Sequence, residues 1–392
     1  MRKLFFITIA VILSLLVACS PEISATDSAT FLEKNTVCPS NTAMNAWIQI
    51  RREALPRWKS GVLFPYRSED GACKYRNMTG EINILVPFSD FLCFSDYCAV
   101  RWEKNELFVM NTQGESCTIK KRDNELWGEI VEDANGNFFI EILSSDDGDI
   151  EIVDTMGEQY LFIRQNEHIK VADKQGNVVI ELPYMQYVAI TEDVVWCWDD
   201  NGGALVNVAE RAVYTVNSQY EVMFETVSNE PADYSGGLVS YSMRDNEGEV
   251  SFKGFIDLKG KEAFLTSFPC SEFNEGAAVM YCENSVSYIG TDGSPLFEKH
   301  FAVANNFSEG LALASVDGEK YGYIDKTGEF VIEPMYDLGA LSIVLEDDGA
   351  DAYSYFHNGY AMVANAEEGW AAYIDKTGKE VFRFSVPVST EE

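Results

Sequence analysis

One pattern, written four times in the C-terminal half, restricts this 392-residue chain more than any other feature. Each copy opens with an aromatic residue, two further residues and a glycine: Tyr234-Ser-Gly-Gly237, Phe273-Asn-Glu-Gly276, Phe307-Ser-Glu-Gly310 and Phe356-His-Asn-Gly359. Small and apolar residues follow, as in Leu311-Ala312-Leu313-Ala314. The copy then closes on an aromatic, an aliphatic and a four-residue turn: Phe255-Ile256-Asp257-Leu-Lys-Gly260, Tyr288-Ile289-Gly290-Thr-Asp-Gly293, Tyr323-Ile324-Asp325-Lys-Thr-Gly328 and Tyr373-Ile374-Asp375-Lys-Thr-Gly378. In such a turn the first aspartate can accept a backbone N–H, and the last glycine takes a positive φ at no steric cost. The turn joins Tyr323-Ile324 to Phe330-Val331-Ile332 as a hairpin. A hairpin of this size cannot bury its own apolar face, so successive copies must stack.

Weaker copies precede these. Phe94-Ser-Asp-Tyr97 matches the opening with Tyr97 in the glycine place, and Asn111-Thr-Gln-Gly114 matches the turn. Trp127-Gly128 leads to Asp133-Ala-Asn-Gly136, and further turns are expected at Asp154–Gly157, Asp173–Gly176 and Asp199–Gly202. The expected organisation is a cap over residues 37–78, degenerate repeats over 79–229 and well-formed repeats over 230–388. The fold class is all-β: tandem hairpin or meander repeats in a propeller-like arrangement, with an open β-solenoid as the alternative. Within the cap, Met44, Trp47, Ile48 and Leu55 fall on one face of a helix. Asn41 or Thr42 would cap its start and Pro56 would end it.

These residues resemble the WG-repeat proteins, a β-rich bacterial family with a repeat that reads aromatic-x-E-G-L-A and then W-G-[YF]-I-D-x-x-G-x-x-V-I. The best copy is Phe307 to Tyr336, with Tyr321-Gly322 in the Trp-Gly place. Elsewhere that dipeptide is Lys253-Gly254 or Trp370-Ala371, and Trp127-Gly128 is the literal form. The match is specific over about 230–386 and suggestive between 79 and 230. The resemblance implies a scaffold with an interaction role, and it supplies no catalytic residues. The positions it marks as structural are Phe273, Gly276, Phe307, Gly310, Tyr323, Asp325, Gly328, Tyr373, Asp375 and Gly378.

The N-terminus reads as an address. Arg2 and Lys3 precede an apolar run from Leu4 to Val17, then Ala18 and Cys19. That run is short of the roughly 20 residues a transmembrane helix needs. Residues 1–18 are therefore expected to be a signal peptide. Leu16-Val17-Ala18-Cys19 resembles the lipobox of bacterial lipoproteins, which implies lipidation of Cys19. Residues 19–36 then form a tether, and the protein is placed in the cell envelope, at the outer membrane if the cell is Gram-negative.

Composition narrows the partners. A formal charge of −34 disfavours nucleic acid and direct adhesion to anionic membrane surfaces. Besides Cys19 there are eight cysteines, an even number compatible with up to four disulfides in an exported protein. The first five, Cys38, Cys73, Cys93, Cys98 and Cys117, could staple the N-terminal part. His168, His300 and His357 lie far apart, and no G-x-S-x-G, H-E-x-x-H or phosphate-loop motif occurs. No catalytic residue is singled out. The acidic loops Asp146-Asp147-Gly148-Asp149 and Asp347-Asp348-Gly349-Ala350-Asp351 gather oxygen ligands around a glycine, so Asp146, Asp147, Asp149, Asp347, Asp348 and Asp351 are calcium candidates. No other cofactor is expected. The leading expectation is a lipid-tethered, non-catalytic platform that binds an envelope protein or peptide. The second is a glycan-binding module using Trp196, Trp198 and Trp370; a hydrolase using paired carboxylates is third.

Overall fold

A computed structural model describes residues 34–36, 47–56, 63–68, 73–77, 83–85, 94–95, 98–111, 113–157, 159–200, 202–216, 220–222, 236–244, 250–337, 354–365 and 367–385. Within them lie nine small antiparallel sheets, taken here in chain order. The first comprises Phe64–Arg67, Cys73–Arg76 and Asn83–Leu85, and the second Phe94–Ser95, Cys98–Glu103, Glu106–Asn111 and Ser116–Lys120. Leu126–Glu132 and Phe138–Ser145 begin the third. Glu151–Met156, Tyr160–Gln165, His168–Asp173 and Val178–Glu181 make the fourth. Gln186–Ala189, Val194–Asp199, Gly202–Asn207 and Ala212–Val216 form the fifth, and Tyr220–Val222, Leu238–Arg244, Val250–Asp257 and Glu262–Leu265 the sixth. The seventh is the pair Ala277–Cys282 and Ser285–Gly290. Val303–Ala304, Ala312–Ser315, Tyr321–Ile324 and Phe330–Tyr336 form the eighth, and Tyr360–Asn365, Trp370–Asp375 and Glu380–Ser385 the ninth.

The core sits between sheets, as expected of units that cannot bury a face alone. Leu107 and Val109 of the second meet Ile140 of the third, and Phe162 and Val171 of the fourth meet Val195 and Val206 of the fifth. Trp196 and Leu205 continue into Val239 and Ile256 of the sixth. Val279 and Ala314 join the seventh to the eighth, and Leu313 and Val363 join the eighth to the ninth.

A single aromatic rung recurs at these boundaries. The aromatic before the isoleucine that leads into each turn packs on the aromatic that opens the next repeat: Phe255 on Phe273 at 4.8 Å, Tyr288 on Phe307 at 5.0 Å and Tyr323 on Phe356 at 4.8 Å between ring centroids. Tilted and edge-on pairs of this kind add about 0.5–1.5 kcal/mol to simple burial. Where the residue is tyrosine, its hydroxyl also donates onward, Tyr288 to the Asn305 carbonyl at 2.6 Å and Tyr323 to the Ser354 carbonyl at 2.7 Å. Burial drives both phenol pKa values far above the ordinary range, so the hydroxyls remain donors.

The last repeat makes the same rung with the first sheet. Tyr373 lies 4.9 Å from Phe64 and donates to the Pro65 carbonyl at 2.9 Å. Tyr66 adds an edge-on contact with Phe382 at 5.1 Å, and the Arg76 guanidinium lies 4.0 Å over the same ring. The two ends of the array therefore meet, as propeller blades do and the ends of an open solenoid do not.

Two expectations are corrected, a helix and a turn. The helix through Met44, Trp47, Ile48 and Leu55 is not formed over its described part: Ile48–Ala54 is a strand, paired residue by residue from Ile48↔Ser145 to Ala54↔Phe139 in the third sheet. Residues 41–46 lie outside the described residues. Trp47 and Leu55 do bury, but at opposite ends, in the boundaries with the fourth and second sheets. An extended chain, at about 3.3 Å per residue, spans those two boundaries and a helix would not. Cys73–Arg76, within the expected cap, pairs with Asn83–Leu85 beyond it in the first sheet. Lys34–Thr36 likewise pairs with Ala212–Val216 in the fifth sheet, inside the expected tether. Of the expected turns, Asp154 lies within a strand, whereas Asp199 and Gly202 pair across a hairpin where a turn was expected.

Candidate functional site

Six of the turns share one construction, five of them opening on aspartate and one on Asn111. The Asp325 carboxylate accepts the Thr327 N–H at 2.8 Å, the Thr327 hydroxyl at 2.6 Å and the Glu329 N–H at 3.3 Å, while Gly328 N–H returns to the Asp325 carbonyl at 2.9 Å. Asp375 repeats this with Thr377 and Lys379, and Asp257 with Lys259 and Lys261. Asp133, Asp173 and Asn111 build the same turn in the earlier half, where the repeat is faint in sequence. The threonine hydroxyl bonds hold the carboxyls of Asp325 and Asp375 below their ordinary pKa, and the Asn137 side chain does so for Asp133. Gly328 takes φ +77°, and a Cβ there would meet the Phe297 ring at 2.8 Å, so glycine is required twice over.

The Trp-Gly position has its own cause. A Cβ on Gly322 would lie 2.3 Å from the Ile332 carbonyl, where the register between Tyr321 and Tyr323 slips by a bulge. In the ninth sheet the register runs unbroken past Ala371↔Phe384, and alanine is accommodated.

The glutamate of the opening motif and the lysine of the turn form a lock between repeats, a pairing that their separate places in the sequence do not announce. Glu275 accepts the Gly310 N–H at 3.0 Å and the Lys326 ammonium at 3.2 Å, and its carbonyl takes a second bond from Lys326 at 2.7 Å. One repeat later Glu309 accepts from Gly359 N–H at 2.9 Å and from Lys376 at 3.0 Å, with Lys376 also on the Glu309 carbonyl at 2.9 Å. Both glutamates hold φ +49°, and glycines 276 and 310 follow at +81° and +87°. Burial raises the Glu309 pKa, but the Lys376 and Gly359 bonds outweigh it and leave the carboxyl lowered. Between the sixth and seventh sheets both partners are replaced together: Gly236 lies against Thr291, a Cβ on it coming 3.6 Å from the threonine methyl. Lys174, in the same turn position of the fourth sheet, reaches buried Glu141 of the third at 2.7 Å, and Arg52 binds that carboxylate from the other side at 2.9 Å. Desolvation pushes Glu141 up, and its two cations more than reverse this.

The other candidates are dispersed. Asp146 accepts from Gln49 and Asp147 from the Asp149 N–H, while Asp347, Asp348 and Asp351 lie outside the described residues. Among the described residues no three His, Cys, Asp or Glu side chains gather as a cation site requires. His168 meets Glu181 at 3.0 Å, His300 meets Ser285 at 3.4 Å, and His357 is a turn residue paired through its backbone with Tyr360. Trp196 is buried in the core against Gly203, and Trp198 packs on the same cluster. Trp370 lies under the Arg383 guanidinium at 3.8 Å, so none offers a free aromatic platform. Cys117, Cys197, Cys270 and Cys282 are free thiols, which rules out the upper bound of four disulfides and removes Cys117 from the expected N-terminal staple. Burial pushes the thiols of Cys197 and Cys270 up to about 12, so they behave as core residues. The N-terminal run 4–17 and Cys19 lie outside the described residues, within which no helix is long and apolar enough to cross a membrane.

Comparison with known proteins agrees with the repeat. The model of the WG containing repeat matches residues 287–319 and 321–338, from the second strand of the seventh sheet through the whole of the eighth. No curated protein matches the chain. Among solved structures, one described as BBS1N in complex with ARL6DN aligns over 91% of this chain and 96% of its own at 9% identity, with a TM-score of 0.23. A member of the duf4221 family from Bacteroides vulgatus aligns over 87% of each chain at 8% identity, with a TM-score of 0.14. Scores this low bear on neither fold nor function. The matched model, the recurring turn and the interrepeat lock agree with one another, and residues 287–338 carry a WG repeat.

Proposed function

We propose that this protein is a non-catalytic repeat scaffold of the bacterial envelope, held to a membrane through a lipid on Cys19 and presenting its array to an envelope protein or peptide. The observation that carries the reading is what the conserved-looking polar groups of each repeat do. Asp325, Asp375, Glu275 and Glu309, the residues that recur and would be the obvious acid–base pair, bond turns and neighbouring repeats. A carboxylate committed to two or three internal bonds is poorly placed to shuttle protons. What remains is surface area built from repeated units, the usual means by which such arrays bind proteins. A lipid contributes roughly 0.8 kcal/mol per buried CH₂, enough with several chains to keep the array at the membrane. Crosslinking in intact cells followed by recovery of the full chain tests the role: a reproducible envelope partner is expected, and recovery of none contradicts it. Metabolic labelling with a fatty acid, lost on Cys19→Ala, tests the anchor separately.

A further inference from the structure

The residue at the place of the lock lysine varies along the array. Lys326 and Lys376 fill it in the eighth and ninth sheets, Thr291 in the seventh, and Leu258 packs into the core at the same place in the sixth. In the fifth sheet the turn is Val208 to Arg211, with Arg211 N–H bonded to the Val208 carbonyl at 3.2 Å, as Gly328 is to Asp325 at 2.9 Å. This alignment puts Ala209 where the sixth to ninth sheets carry longer side chains, as Ala134 also stands in the third, and Arg211 where they carry glycine. Arg211 keeps the left-handed conformation at φ +52°, a backbone state that L-residues other than Asn and Asp rarely adopt.

A groove of about 430 Å³ opens at the boundary between the fourth and fifth sheets. Gln159, Tyr160, Gln175, Ala209 and Arg211 line it, with Val179 and Val208 as apolar floor. Asp173 and Lys174 also line it, both already engaged: the Asp173 carboxylate closes its own turn on Gln175 and Asn177, and Lys174 is held by Glu141. Glu210, next to Arg211, bonds the Tyr214 hydroxyl at 2.9 Å and lies 3.7 Å from Lys259. No carboxylate among the described residues pairs with the Arg211 guanidinium, in a chain with 63 acidic and 29 basic residues. The groove thus combines an open guanidinium fork, two primary amides and a phenol ring, with little apolar lining.

We infer that this groove is a binding site for a carboxylate-bearing sugar. A guanidinium binds a carboxylate through two parallel N–H bonds. Side-chain amides suit sugar hydroxyls as donors and acceptors, and a tyrosine face suits the pyranose ring. A peptide ligand would call for apolar pockets that the groove does not supply. The inference is independent of the proposed scaffold role: a protein partner bound elsewhere on the array leaves it standing, and its own failure leaves the scaffold role untouched.

The test is ligand-observed NMR titration of the full chain with glucuronate, and with glucose as the uncharged control. Saturable glucuronate binding stronger than that of glucose is expected. Arg211→Gln should weaken glucuronate roughly tenfold or more while leaving glucose unchanged, since a bidentate charged contact is replaced by a neutral one. Ala209→Leu, which supplies the side chain the sixth sheet carries at that place, should abolish binding of both with an unchanged melting temperature. Absence of saturable glucuronate binding to the unmodified chain, or equal glucuronate binding by the Arg211→Gln chain, overturns the inference.

Discussion

The boundary between the eighth and ninth sheets and the boundary between the fourth and fifth are built on the same hairpin turn and differ in what bridges it. At the first, Glu309 gathers the Gly359 N–H and the Lys376 ammonium, and the Tyr323 hydroxyl reaches the Ser354 carbonyl. At the second, apolar packing of Phe162, Val171, Val195 and Val206 carries the contact, Tyr187 stacks on Phe162 at 4.3 Å, and the polar rim is left open around Ala209. Apolar burial is enough to hold two blades together. The polar lock adds register, and between the fourth and fifth sheets, where it is missing, a groove opens.

Several changes would break or sharpen that contrast. Phe356→Ala, which removes a fully buried ring from the locked boundary, should destabilise by about 3–5 kcal/mol, measured by denaturant unfolding. Tyr323→Phe removes only the hydroxyl and leaves the buried Ser354 carbonyl without that donor. It should cost about 1–2 kcal/mol, again by denaturant unfolding. Lys376→Met should cost less, at most about 1 kcal/mol, because both partners of its ion pair are partly exposed and screened by solvent. No comparable loss is expected for any substitution at Ala209.

Acid should separate the two boundaries as well. The carboxyls of Asp325, Asp375 and Glu309 are lowered in the folded chain, so the unfolded chain binds their protons first. The stability they contribute is present above their unfolded pKa values, roughly pH 4, and is lost as pH falls through the lower folded values. Acid melting curves of Glu309→Gln should therefore fall less steeply than those of the unmodified chain. The smallest effect expected is from EDTA, which should leave the melting temperature in place, since the described carboxylates do not gather around a cation.

Much of this was legible from residues alone, for reasons that differ by element. The Asp-x-x-Gly turn depends on one side chain and one φ, both local, so Asp325-Lys-Thr-Gly328 and even Asn111-Thr-Gln-Gly114 could be read directly. The Glu–Lys lock joins residues 51 and 67 positions apart, and its signature is the joint loss at Gly236 and Thr291, which becomes visible only once the sheets are aligned. The strand Ile48–Ala54 was misread as a helix because Trp47, Ile48 and Leu55 satisfy a helical spacing, while the free edge of Phe138–Ser145 that they complete lies some 90 residues ahead. The Arg211 groove gave no sequence signal, since its lining comes from two sheets, Gln159 to Val179 of one and Val208 to Arg211 of the other.

The central claim is that the two ends of the array meet through Phe64, Pro65 and Tyr373. Hydrogen exchange of the Trp370–Asp375 strand, compared between the unmodified chain and Phe64→Ala, tests it directly. The account predicts faster exchange in that strand when Phe64 is cut back, with the Tyr321–Ile324 strand of the eighth sheet little changed. Unchanged protection of Trp370–Asp375 would contradict it and leave an open array in its place.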